Sequence, residues 1–194
     1  MRFSISFAMF SVVLTASTAA LADGPTFGSA NQLAISSDAN LQLTHTSYSD
    51  GGGSTTELTL RPAVDYFVID QLSIGGFVLL DIDSPAGVSS QSVTTFGIGP
   101  RVGYNLTIND TFSFWPKLGV AFQHSSGGEI SDTSFNVSIF APFLVHPAPH
   151  FFLGLGPIFS QDLSNSVSAG NVSGDGAKAT TFGLAFTVGG WVGL

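Results

Sequence analysis

The chain has 194 residues, 44% of them hydrophobic and only 9% charged, with 23 Gly, 18 Phe and no Cys; an ordinary soluble domain carries roughly 25% charged residues. Five Lys and Arg against thirteen Asp and Glu give a formal net charge of -8, which excludes nucleic acid as a partner because binding it takes basic groups to neutralise phosphates. The absence of Cys excludes disulfide staples, thiolate metal sites and a Cys nucleophile, and a high apolar content with little charge is the reverse of intrinsic disorder.

Residues 1–22 open with Arg2, run apolar over 7–16 and close on Ala20-Leu21-Ala22 before Asp23. That is the pattern of a secretory signal peptide with an A-x-A cleavage site. The apolar run is too short to cross a bilayer, which takes about 20 residues. Cleavage between Ala22 and Asp23 removes Arg2 and no acidic residue, so the mature chain is more acidic still and works outside the cytoplasm. Residues 23–30 form a short N-terminal segment, and 31–194 are expected to be one domain.

Period 2 organises that domain. In 33–43 the odd positions read Leu33, Ile35, Ser37, Ala39, Leu41 and Leu43, against Ala34, Ser36, Asp38, Asn40 and Gln42; such alternation belongs to a strand with two unlike faces. Seven further segments repeat it between turns rich in Gly, Ser, Asp, Asn or Pro. Segment 57–66 sets Leu58, Leu60, Val64 and Tyr66 against Glu57, Thr59, Arg61 and Asp65, and 72–83 sets Leu72, Ile74, Val78, Leu80 and Ile82 against Ser73, Gly75, Phe77 and Asp81. In 95–106 Phe96, Ile98, Val102, Tyr104 and Leu106 oppose Gly97, Gly99, Arg101, Gly103 and Asn105; in 112–124 Phe112, Phe114, Leu118, Val120 and Phe122 oppose Ser113, Lys117, Gly119, Ala121 and Gln123. The last three apolar faces are Phe135, Val137, Ile139, Phe143 and Val145 in 134–145, Leu153, Leu155 and Phe159 in 151–161, and Phe182, Leu184, Phe186, Val188, Val192 and Leu194 in 181–194.

Short turns near 67–71, 107–111 and 146–150 alternate with longer polar loops near 47–56, 84–93, 125–133 and 162–178. The pattern predicts an all-β, eight-stranded antiparallel up-and-down transmembrane β-barrel, with short turns at one end and long loops at the other. The second face is mostly Gly, Ser, Thr, Asn and Ala, too weakly charged to solubilise the outside of a barrel but small enough to fill a narrow lumen. The apolar face is therefore expected to point outward to lipid. Aromatic residues gather towards both strand ends, Tyr66, Tyr104, Phe112, Phe114 and Phe143 near the turns and Phe96, Phe122, Phe135, Phe159 and Phe182 near the loops, as two membrane interfaces favour. Pro62, Pro100, Pro116, Pro142 and Pro157 all fall inside these segments, where a missing donor predicts bulges or broken ladders.

The run Tyr66-Phe67-Val68-Ile69-Asp70-Gln71-Leu72-Ser73-Ile74-Gly75-Gly76, the pair Phe96-Gly97-Ile98-Gly99-Pro100 and Leu153-Gly154-Leu155-Gly156-Pro157, and the terminal strand resemble the small eight-stranded outer-membrane barrels of Gram-negative bacteria, the OmpX-like and OmpA-like barrel family. The resemblance spans the whole mature chain. It implies residence in the outer membrane and assembly by the barrel-assembly machinery, which in this family reads the end of the last strand; here that signal would be Phe186, Val188, Val192 and Leu194, with Leu194 where an aromatic residue is usual. The strand pattern runs to Leu194, so no appended peptidoglycan-binding domain is expected.

Several groups could carry chemistry. Asp38, Glu57, Arg61, Asp65, Asp81, Arg101 and Lys117 share the lumenal parity, together with Asp83, and buried charges persist only with partners, so they are expected to form an ion-pair network that fills the lumen. His124-Ser125-Ser126 looks like the His-x-Ser of outer-membrane lipid A deacylases, with His124 as base and Ser126 as nucleophile; the Asn usual after that Ser is Gly127, and Glu129 and Asp132 are loop residues. His146 and His150 flank a Pro-rich turn, two ligands where a tetrahedral metal site needs more. No cofactor and no metal is expected. The reading is a non-catalytic envelope protein whose loops serve adhesion, envelope integrity or ligand display. The alternatives are a lipid A deacylase-like hydrolase and a soluble lipocalin-like binder.

Overall fold

The computed structural model describes residues 26–40, 55–85, 93–127, 130–169, 172–176 and 178–194, and the described part is strand without helix. The signal segment and its cleavage pair, Ala22 and Asp23, lie outside the described residues, as do the loop stretches 47–54 and 86–92 and Glu129. The strands are β1 (Gln32–Asn40), β2 (Thr55–Ile69), β3 (Leu72–Pro85), β4 (Val93–Tyr104), β5 (Leu106–Thr107), β6 (Phe112–Phe114), β7 (Lys117–Gly127), β8 (Ile130–Phe140), β9 (Phe143–Ala148), β10 (Phe151–Ala169), β11 (Val172–Asp175) and β12 (Thr180–Gly193).

Eight of them close an antiparallel ring, in the order β12, β1, β2, β3, β4, β7, β8, β10 and back to β12. Gln32 faces Gly193 and Asn40 faces Ala185 along the joint of first and last strands, and the Leu194 amide donates to the Asn31 carbonyl at 2.9 Å. Closure leaves no free edge in the ring. Three short strands, β5, β6 and β9, are continuations of three of the eight. Gly103 faces Lys117 and Leu106 faces Phe114, so β5 and β6 continue the register of β4 and β7 across Asn105 and across Trp115-Pro116. Lys117 faces Phe140 and Phe114 faces Phe143, so β9 likewise continues β8 across Ala141-Pro142.

Proline breaks ladders as expected but adds no bulge at Pro62, Pro100, Pro116, Pro142 or Pro157. Pro116 and Pro142 interrupt their strands, yet their carbonyls still accept from the Tyr104 and Trp115 amides at 3.0 Å each. Pro62, Pro100 and Pro157 remain inside continuous strands. Pairing lapses between Leu60 and Ala63 on the β3 side, and between Ile98 and Arg101 on the β7 side, with no change of register. The register shifts fall between Phe67 and Ile69, Phe151 and Leu153, and Asp162 and Ser164, at none of these five prolines, although the second lies opposite His146-Pro147. A ring neighbour on the other side supplies enough ladder to hold a proline in place, so the missing donor costs a bond but not the alignment.

Two expected loops are also corrected. Residues 125–127 and 130–133 belong to the β7–β8 hairpin, and β10 runs 19 residues to Ala169 before pairing back with β11. The Ser- and Asn-rich stretch 162–169 has only a weak apolar face, Leu163, Val167 and Ala169 interrupted by Asn165, but its backbone finds partners in the start of β8, from Asn136 to Ile130. At the opposite end the connections are tight. Asp70-Gln71 and Pro149-His150 join their strands in two-residue turns, with Gln71 and His150 at positive φ of 72° and 61°, and Asn109 Oδ1 caps the third by accepting the Thr111 and Phe112 amides at 2.9 Å.

The outer wall is apolar. Ile35, Val64, Ile74, Ile98, Leu118, Ile139, Leu155 and Leu184 are all exposed on it, whereas Arg61, Arg101, Asp65 and Lys117 are buried inside. The interior holds two chemically different layers: charged residues at mid-height, and at the short-turn end an aromatic cluster of Phe27, Phe67, Trp115, Phe152 and Trp191 with Ala34 and Leu144.

Candidate functional site

The charged layer is built by strand parity. Asp38 from β1, Arg61 and Asp65 from β2, Arg101 from β4 and Lys117 from β7 alternate with outward residues such as Ile35, Val64, Ile98 and Leu118, and so must point inward. Arg101 is its hub. Nη1 donates to Asp38 Oδ2 at 2.6 Å, Nε to Asp65 Oδ1 and Oδ2 at 2.9 and 3.1 Å, and Nη2 to Ser36 Oγ at 3.0 Å, with a further bond from Nη2 to Asp65. This fork geometry is what a planar guanidinium offers and an ammonium cannot. Lys117 Nζ reaches both oxygens of Asp38 at 2.9 and 3.0 Å, and Thr187 Oγ1 donates to Asp38 Oδ1 at 2.6 Å. Asp38 is thereby satisfied by three donors from three strands.

Rings complete the layer. Lys117 Nζ sits 4.5 Å from the centroid of Trp115 and 4.8 Å from that of Phe140, and the Arg101 guanidinium carbon lies 5.8 Å from Trp115. Arg61 differs from its neighbours: its guanidinium carbon lies 4.9 Å over the Phe77 ring, and among the described residues it makes no ion pair and its Nε has no hydrogen-bond acceptor.

Of the residues that the sequence groups in the lumen, Asp38, Asp65, Arg101 and Lys117 meet in one cluster, and Arg61 lies beside it. Asp81 lies on β3, where it faces Thr59 and Thr95 in the neighbouring strands. Glu57 faces Asp83 in the backbone register, and their side chains lie outside the described residues. The sequence reading omits Ser36 and Thr187, which carry the inward parity of Asp38 and were legible on that ground. It also omits the aromatic floor. Trp115, Phe140 and Phe152 are large and inward-facing, against the expectation of a lumen filled by small polar groups.

That floor includes a part of the chain outside every strand. Phe27 projects under the barrel and lies 5.2 Å from Phe67, 5.2 Å from Trp115, 5.1 Å from Phe152 and 5.0 Å from Trp191, centroid to centroid. The backbone around it is pinned: Asn105 Nδ2 donates to the Phe27 carbonyl at 2.9 Å, the Gln71 amide to the Gly28 carbonyl at 2.6 Å, and the Gly28 amide to Gln32 Oε1 at 2.8 Å. Gly28 adopts φ of 97°, and a Cβ there would press on the Asn105 side chain, so the turn that aims Phe27 inward requires glycine.

The remaining candidates are scattered. His124 and Ser126 are both exposed on β7, and His124 Nδ1 is 3.1 Å from Thr133 Oγ1, which is its hydrogen-bond partner among the described residues. Asp132 accepts from Asn165 at 3.1 Å and does not support His124. His146 Nε2 lies 2.9 Å from Ser113 Oγ, while His150 Nδ1 lies 3.1 Å from the Trp191 carbonyl. Each histidine is engaged separately, and no group of three metal-ligating side chains occurs among the described residues. Phe186, Val188 and Val192 alternate with the buried Ala185, Thr187 and Trp191 of β12, and Leu194 follows the strand; Val192 and Leu194 are well exposed. No protein-family model matches the chain, and no curated protein matches it.

Proposed function

We propose that this protein is a bacterial outer-membrane β-barrel, exported with removal of residues 1–22, whose role is structural or interactive and non-catalytic. The observation that carries the reading is the polarity of the ring: hydrocarbon outside, ion pairs inside. In water an exposed wall of Ile, Leu, Val and Phe would be an aggregation surface, whereas against acyl chains it is the favourable arrangement. A lipocalin-like binder turns its large apolar residues the other way. Closure supports the reading too, since a ring satisfies its ladder bonds where no water is available.

Two belts on the outer wall add to it. Phe96, Phe122, Phe135, Phe159 and Phe182 are exposed near the long-hairpin end, and Tyr104, Phe112 and Phe143 near the short-turn end. Phe96 and Tyr104 are eight residues apart on β4, about 27 Å of strand at roughly 3.4 Å per residue and about 20 Å of height at the usual tilt, close to the apolar band of a thin outer membrane. The last strand's outer face, Phe186 to Leu194, suits recognition by the barrel-assembly machinery, and the hairpin ends at 125–133 and 162–178, with 47–56 and 84–93, are where an extracellular ligand would bind. The small eight-stranded outer-membrane barrels remain the family this chain resembles.

Membrane fractionation of the producing cell, followed by gel migration with and without boiling, tests the proposal. The expected result is recovery in the outer-membrane fraction and two positions on the gel, a compact unboiled band and a slower boiled one. Recovery in the soluble periplasmic extract, migrating at one position, would overturn it.

A further inference from the structure

Within the cluster around Arg101 the cations outnumber the carboxylates. Arg61, Arg101 and Lys117 bring three cations, and Asp38 and Asp65 two carboxylates. Arg61 is the cation left over. Its cross-strand neighbour Asp38 already accepts from Arg101, Lys117 and Thr187, and Asp65 is held by Arg101. Arg61 is nonetheless only 8% exposed. A buried cation that makes no ion pair of its own is a costly arrangement in a protein.

Beside Arg61 there is room for what is missing. A cavity of about 20 Å³ is lined by Arg61, Arg101, Lys117, Asp38, Ser138 and Phe140, with Phe77 and Gly119 closing it. Space of this kind accepts a single water-sized particle, for which about 10–15 Å³ suffices. Sulfate, phosphate and carboxylates exceed it. Water fits but brings no charge, whereas a halide fits and neutralises the guanidinium. Gly119 contributes by absence, since a Cβ there would lie 2.9 Å from the Phe77 ring and narrow the space.

We propose that the barrel lumen holds one small monovalent anion, chloride under ordinary conditions, between the Arg61 guanidinium and the Lys117 ammonium, within reach of the Ser138 hydroxyl. The ion completes the ion-pair layer, in the way that Asp38 and Asp65 serve Arg101, and makes the stability of the folded barrel depend on which anion is present.

Crystals of the detergent-folded full chain, soaked in bromide, test this directly. An anomalous peak in the cavity lined by Arg61 and Lys117 is expected; a map with no peak there overturns the proposal without any variant. In solution, at equal ionic strength, thermal unfolding in chloride should lie on the order of 3 °C above unfolding in gluconate, an anion too large to enter. R61Q should abolish that difference and R61K should keep part of it, which cancels general salt effects on the rest of the surface. An R61Q protein that still shows two gel positions and retains the full chloride-over-gluconate difference also overturns it.

Discussion

The charged layer and the aromatic floor lie one above the other in the same lumen, with Trp115 touching both: its ring faces Lys117 above and Phe27 below. They are held by different physics. In the charged layer each group is tolerable only because of its partner, so its stability resides in pairs. In the floor each ring buries area and fills volume on its own account, with edge and offset contacts adding to it. A polar interior should therefore fail when one member is removed and recover when its partner is removed as well, whereas an aromatic interior should lose stability in proportion to what is cut away.

The sharpest way to break this contrast is R101M. It leaves Asp65 buried without its guanidinium and takes a donor from Asp38, and the expected loss is about 3–5 kcal/mol, read as a lower urea midpoint of the compact gel band in detergent. Next is F27A, expected to cost about 3 kcal/mol because a ring among Phe67, Trp115, Phe152 and Trp191 is replaced by a cavity, read in the same assay; a loss below about 1 kcal/mol would mean the floor stands without the N-terminal segment.

The double variant D65L/R101M gives a smaller effect and decides more. With both partners gone and Asp38 still bonded to Lys117 and Thr187, stability should return to within about 1–2 kcal/mol of the parent. If it is no better than R101M, the layer is not organised in pairs. Smallest is S126A, an exposed position on β7 whose hydroxyl does not meet His124; stability should stay within about 0.5 kcal/mol, and mass spectrometry of lipid A should show an unchanged acylation pattern. A changed pattern would revive the hydrolase.

Much of the wall was legible in the residues alone. Ile98 and Arg101, Val64 and Asp65, Leu118 and Lys117 take opposite sides as their parity requires. The far ends of the strands were not legible: over 162–169 Asn165 interrupts the apolar parity of Leu163 and Val167, with Asp162, Ser164, Ser166 and Ser168 at the other parity, so a paired ribbon reads like a loop until the start of β8 is seen opposite. Phe27 escaped for a related reason. One ring between Thr26 and Gly28 has no periodicity to place it, and only Asn105, 78 residues away, and the turn at Gln71 bring it under the barrel. Proline was half legible: the ladder lapses at Pro62 and Pro100 as a missing donor requires, but Pro62, Pro100 and Pro157 stay in register without the alternative, a bulge.

What the sequence determined by itself is the sidedness of the eight wall segments, because side chains alternate across a pleated backbone whatever the strand pairs with. Which inward groups meet was decided only by the tertiary structure. Arg101 finds Asp38 across 63 residues and Thr187 finds Asp38 across 149, whereas Arg61, inward-facing and of the same charge, makes an ion pair with neither carboxylate. The height at which each strand delivers its side chain depends on the stagger imposed when the first strand closes on the last, and no local stretch of residues contains that quantity.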